Sequence, residues 1–187
     1  MTGPSGGFCI IAYGGDITIS RHSMDRQILR SLPPPILSTT RRLAISKWKA
    51  PNPAEVETDT VFQTLSSMND LRALILTKCH DLPFILTLDP EKNISKALLC
   101  PNLEKLVLYT RLRDGFHIEH LLSMANTRAW RNTLLLSITI VGLDELAPEK
   151  VFKLREHVTH VYYRVDDWLP NWDELSEGDD ESDDESE

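Results

Sequence analysis

The sequence predicts an α/β fold, a short irregular solenoid with a mainly parallel sheet, on three observations. An apolar strand pattern returns at a nearly constant interval, helical stripes separate its copies, and ten acids crowd into the last fifteen residues. With 187 residues, 41% hydrophobic and 26% charged, the chain has enough apolar mass for one core and hardly for two. One folded unit over 1–172 and an acidic tail over 173–187 is the expected organisation.

The clearest strand is Leu71-Arg72-Ala73-Leu74-Ile75-Leu76-Thr77-Lys78-Cys79, which reads LxxLxLxxC. One apolar residue comes in from a turn and two alternate residues point inward from a short strand, the leucine-rich-repeat pattern. It recurs 32 residues later as Leu103, Leu106 and Leu108, and after another 32 as Leu135, Ile138 and Ile140. Backwards, Thr40, Leu43 and Ile45 precede the first copy by 31 residues, and Phe8, Ile11 and Tyr13 precede those by 32. Val158, Val161 and Tyr163 follow after only 23, as an irregular terminal unit. Strands are therefore expected at 8–13, 41–46, 72–77, 104–109, 135–141 and 159–163. They should neighbour one another in chain order, and the regular ones should be parallel because each connection has to cross back. Tyr13-Gly14-Gly15-Asp16 reads as a hairpin turn with Ile17 and Ile19 on the returning strand.

Between the strands the apolar period becomes that of a helix. Met24, Ile28, Leu29 and Leu32 form one stripe, stopped by Pro33-Pro34-Pro35, and Val61, Phe62, Leu65 and Met68 form the next. Ile118, Leu121, Leu122 and Ala125 make a third, and Val151 with Leu154 a fourth, with Pro148 near its first turn. Residues 91–99 read either as a helix begun at Asp89-Pro90 or, given Asn93 and Ser95, as a loop.

The net charge of −8 is a matter of location: without the ten acids of the tail the rest of the chain stands at +2. A body that close to neutral has no bulk attraction for phosphate backbones or anionic lipid, so neither nucleic acid nor membrane is an expected partner. Apart from Leu175 the residues from Glu174 on are only Ser, Gly, Asp and Glu, which offer too little apolar surface to offset chain ordering, so disorder is expected. Ser176 and Ser182 each have an acid three residues later, resembling acidophilic kinase sites; solubility is the tail's other reading. Trp168, Leu169 and Trp172 are expected to fold back over the open end of the sheet or to serve as an aromatic recognition motif. Cys9, Cys79 and Cys100, an odd number without CxxC, suit neither a disulfide framework nor a zinc site. The longest apolar run, Leu134 to Leu143, is half of what a bilayer requires. With no leader legible at the start, the cytoplasm or nucleus is the expected location.

Residues 68 to 180 hold LRALILTKCHDLPFIL, the CPNLEKLVL run that follows it, the strand LLLSITIVG and the Asp/Glu/Ser end. On these the stretch resembles the leucine-rich region of the large fungal family of F-box-like proteins. It implies that the repeats recruit a target protein, while an F-box, where there is one, docks onto the adaptor of a cullin ubiquitin ligase. No F-box is legible before Met68, and Leu32-Pro33 runs on into two more prolines. The chain thus reads as the repeat portion alone, with a ligase adaptor as partner only if a box lies upstream. A stand-alone scaffold or regulatory repeat protein is the alternative.

No catalytic, cofactor-binding or metal-binding residues are assigned. His117-Ile118-Glu119-His120 and His157-x-x-His160 pair imidazoles at i and i+3 but are not HExxH, and helix-end histidine is the plainer reading. Cys79 occupies a turn position where this repeat class accepts a buried thiol. Gly6-Gly7 and Gly14-Gly15 match no phosphate-binding loop, and no GxSxG elbow occurs. The site expected is a surface. If positions one, four and six of each LxxLxL point inward, the alternate ones face a partner across the concave side of the sheet. Those positions are Ala73, Ile75 and Thr77; Lys105, Val107 and Tyr109; Ser137, Thr139 and Val141; and Tyr162 at the edge, with Arg42, Ala44, Ser46, His160 and Arg164 continuing the rows. An open strip holding Ile75, Val107, Tyr109 and Val141 would mark an interaction site unless the N-terminal hairpin covers it.

Overall fold

The computed structural model describes residues 8–13, 15–21, 33–46, 58–77, 82–93, 95–109, 118–142 and 146–165. The expected first helical stripe, Cys79, His117, the two tryptophans 168 and 172 and the tail serines 176 and 182 lie outside them. The described residues form an α/β fold with a seven-stranded sheet. Its strands are β1 Phe8–Tyr13, β2 Asp16–Arg21, β3 Arg42–Ser46, β4 Ala73–Thr77, β5 Lys105–Tyr109, β6 Leu135–Gly142 and β7 Val158–Val165. They lie in chain order, with β2 through β7 parallel and β1 alone antiparallel, to β2. Described helices are α1 Pro34–Ser38, α2 Thr58–Ser66, α3 Leu82–Leu88, α4 Ile118–Trp130 and α5 Pro148–Arg155.

The strand register follows the apolar repeat. Leu43, Leu74, Leu106 and Ile138 stand side by side, as do Ile45, Leu76, Leu108 and Ile140. All eight are buried in one cluster, and fully burying a side chain of this size is worth about 1.5–3 kcal/mol. Each regular strand begins with the same backbone device, a single carbonyl that accepts two successive N–H groups of the next strand's start. Arg41 O takes Arg72 N and Ala73 N, Arg72 O takes Glu104 N and Lys105 N, and Glu104 O takes Leu136 N and Ser137 N.

One expected register is corrected. Phe8, Ile11 and Tyr13 are not the first copy of the repeat, because β1 runs antiparallel; the residues that pair with Leu43 and Ile45 are Ile17 and Ile19 on β2. There the two-bond carbonyl belongs to Gly15, which accepts Arg41 N and Arg42 N. Ile17 precedes Leu43 by 26 residues, so the interval shortens at this end of the sheet. Gly15 has φ +91, a conformation that favours glycine, and a Cβ there would crowd Thr39 O at 3.2 Å.

Helices form where expected in three of five cases. In α2, Val61 and Leu65 are fully buried, and Met68 joins them just past its end. In α4 the buried face is Leu121, Met124, Ala125 and Arg128, with Ile118 and Leu122 half-buried on its flank. Spacing of i, i+3, i+4 and i+7 is a regular helical stripe; it keeps Leu121 and Ala125 of the expected one and turns toward Met124 and Arg128. In α5, Pro148 occupies the first turn, where its missing N–H costs nothing, and Leu154 is the buried contact. Prolines 33–35 stand at the start of α1 for the same reason, and the stripe they were expected to stop lies outside the described residues. Its end explains the polar residue in the apolar pattern: Thr40 is buried because its hydroxyl donates to Ile36 O at 2.6 Å.

Helix α3 was not anticipated. Phe84, Ile85 and Leu88 are buried in a run apolar on nearly every side, which has no helical period to detect. Residues 91–93 and 95–99 are the loop and not the helix. Asp89 takes Glu91 N on one carboxylate oxygen and the Ser123 hydroxyl on the other. Buried Asn93 donates to Thr87 O and Ala97 O and accepts from Ala97 N, so this turn carries its own hydrogen-bond network. Every described helix places its buried apolar residues in the same cluster as the inward strand residues, so all five pack on one face of the sheet.

Candidate interaction face

The other face of the sheet is built by the alternate strand residues, which pairing aligns into three rows. Asp16, Arg42, Ala73, Lys105, Ser137 and His160 form the row at the strand starts. Thr18, Ala44, Ile75, Val107, Thr139 and Tyr162 form the middle row, and Thr77, Tyr109, Val141 and Arg164 run along the strand ends. All ten residues assigned from the sequence thus come together on one surface. The N-terminal hairpin does not cover them, since β1 and β2 extend the sheet edgewise.

The strip is less open than expected. Val107 and Val141 keep only 7% and 6% of their exposure, and Ile75 and Tyr109 are half-buried. Val107 stands between Ile75 and Thr139 on adjoining strands, and Val141 between Tyr109 and Arg164, so the neighbours shield a β-branched side chain that barely rises above the sheet. The accessible handles are polar or aromatic: Lys105 and Arg164 are exposed, and Tyr162 keeps 58% of its surface. His160 and Tyr162 tilt toward one another with ring centroids 6.2 Å apart. The charge is one-sided, since Asp16 is the only acid in the three rows and it already faces Arg42 at 3.6 Å. Both partners of that pair are about half exposed, so it adds little stability.

Behind the sheet lies a polar group that the sequence reading missed. Arg128 is fully buried, with Nη1 donating to Leu99 O at 2.9 Å and Nη2 to Cys100 O at 2.8 Å. Among the described residues its Nε has no hydrogen-bond acceptor. Cys100, at φ 47, donates its thiol to Leu65 O at 3.4 Å. Burial pushes the Cys100 thiol up to about 12, partly opposed by the nearby guanidinium, and burial lowers the pKa of Arg128. A thiol that stays protonated is a poor nucleophile, so the pair acts as a clamp between α2, the turn before β5 and α4. Its detectable signal was Arg128 falling seven residues after Leu121, on the helix's apolar stripe.

Among the described residues no three His, Cys, Asp or Glu side chains converge as a metal would need, and no helix is long and apolar enough to cross a membrane. Compared with protein-family models, curated proteins and solved structures, the chain matches none.

Proposed function

We propose that the chain is a protein-binding module, a leucine-rich-repeat-like solenoid whose open, concave face receives a target protein, and that it serves as the target-binding part of an F-box-like substrate receptor. One observation carries the reading: the described helices all lie on one side of an in-register sheet, and the other presents aligned rows of side chains with aromatic and cationic handles. Strand-to-strand neighbours in chain order, each begun by the same two-bond carbonyl, support a repeat architecture. Binding by such a face relies on a few anchors, of which Tyr109, Tyr162 and Ile75 are the best candidates by size and position.

The test places a photo-crosslinking residue at Thr77 or at Thr139 on this face and, as control, at Phe152 on α5. Crosslinks to one partner from the two face positions and not from Phe152, lost with Ile75→Asp and Tyr109→Ala, support the reading. Equal crosslinking from Phe152 would place binding on the helices. Co-purification of the crosslinked complex with a cullin adaptor, from cells expressing the full gene, separates the receptor role from a stand-alone scaffold.

A further inference from the structure

We propose that the open face is occupied in cis by residues 166–173 of the same chain, which an external partner has to displace; the displacement rests on the binding role above, the docking itself does not. Three observations carry it. The first is charge. The outward positions of β3 to β7 carry Lys105 and Arg164 and, among the described residues, no carboxylate, Arg42 being already paired with Asp16, while 166–173 reads Asp-Asp-Trp-Leu-Pro-Asn-Trp-Asp, three acids and no base. The second is shape and polarity. Tyr162 is well exposed beside Thr139, on a shallow strip where Ile75 and Tyr109 are half-buried, a surface suited to flat aromatic rings, and the segment brings Trp168 and Trp172 with Leu169.

The third is position. Parallel strands all end on one side, so β7 releases the chain at Val165, next to the row Thr77–Tyr109–Val141–Arg164. From β7 to β5 is two strand spacings, about 10 Å. Eight extended residues reach about 26 Å, so Trp168 and Trp172 can both arrive over β5 and β6. Tethering raises the local concentration of the segment to the order of millimolar, so modest contacts are enough to keep it docked. The same one-sided charge makes the docking salt-sensitive.

The experiment uses the full chain labelled with 5-fluorotryptophan, whose four resonances are assigned by single Trp→Phe variants. Docking in cis predicts that the Trp168 and Trp172 signals sit away from the position of free fluorotryptophan, independent of protein concentration. They should move toward that position with Lys105→Glu plus Arg164→Glu, with Tyr162→Ala, and as salt is raised from about 50 to about 500 mM, while Trp130 on the helical side stays put. The Tyr162 variant carries the test should the charge reversals disturb the fold. Free signals at low salt, displaced signals indifferent to all three perturbations, or a dependence on protein concentration would each overturn the proposal, the last in favour of a second copy. With Trp168→Ser and Trp172→Ser together, crosslinking to the partner should rise about tenfold. Docked tryptophans without any partner crosslink would sink the binding role and leave the docking standing; free tryptophans with partner crosslinks from the face would do the reverse.

Discussion

Arg128 shows how a single side chain can tie successive units of the fold together. Its guanidinium satisfies the carbonyls of Leu99 and Cys100, at the turn that leads into β5, from a helix that follows that strand. Arg128→Ala would orphan both acceptors and leave a cavity, so a loss on the order of 3 to 5 kcal/mol is expected in urea denaturation. Arg128→Lys should recover only part of it, since a lysine has no planar fork to span two carbonyls. Cys100 makes the clamp sensitive to alkali. The unfolded thiol ionises near the ordinary 9.0 and the folded one near 12, so between these values the unfolded chain has given up a proton that the folded chain still holds. The stability associated with this group is therefore complete below pH 9 and lost as pH rises toward 12, with a slope approaching about 1.4 kcal/mol per pH unit. Cys100→Ser should flatten that part of the curve; equal slopes for both proteins would show that the thiol does not report the clamp.

At the scale of the element, the strands were legible and the helices less so. A half-buried strand advertises itself by a period of two, and pairs such as Leu74 and Leu76 or Ile138 and Ile140 recur at an interval that chance does not produce. Helix α3 had no such signal, because Phe84, Ile85 and Leu88 sit in a run that is apolar throughout. The antiparallel β1 imitated a repeat through Phe8, Ile11 and Tyr13, and only pairing could tell its register from that of β2. The register is testable at its centre. Leu106 is fully buried between Leu74 and Ile138, so Leu106→Ala should cost on the order of 2 to 5 kcal/mol in a denaturant melt, whereas a neutral result would speak against the pairing.

For the whole molecule, the crowding of ten acids into the last fifteen residues has a direct consequence. Deleting residues 174–187 removes nine of the 28 acids and almost no apolar surface, so the melting midpoint should stay nearly unchanged. Incubation of the full chain with an acidophilic kinase should modify Ser176 and Ser182, read by mass spectrometry; a large drop in the midpoint on deletion would show instead that the tail packs on the body. The sequence by itself determined the strand positions, the parallel order of the regular units and the set of residues sharing the outer face, because each follows from local alternation repeated at a fixed interval. Tertiary structure decided the rest. That Val107 and Val141 would be shielded depends on which side chains stand beside them on other strands, and that an arginine would lie in the core depends on two distant carbonyls being within its reach. Such facts belong to pairs of residues brought together by folding, and no periodicity within one segment encodes them.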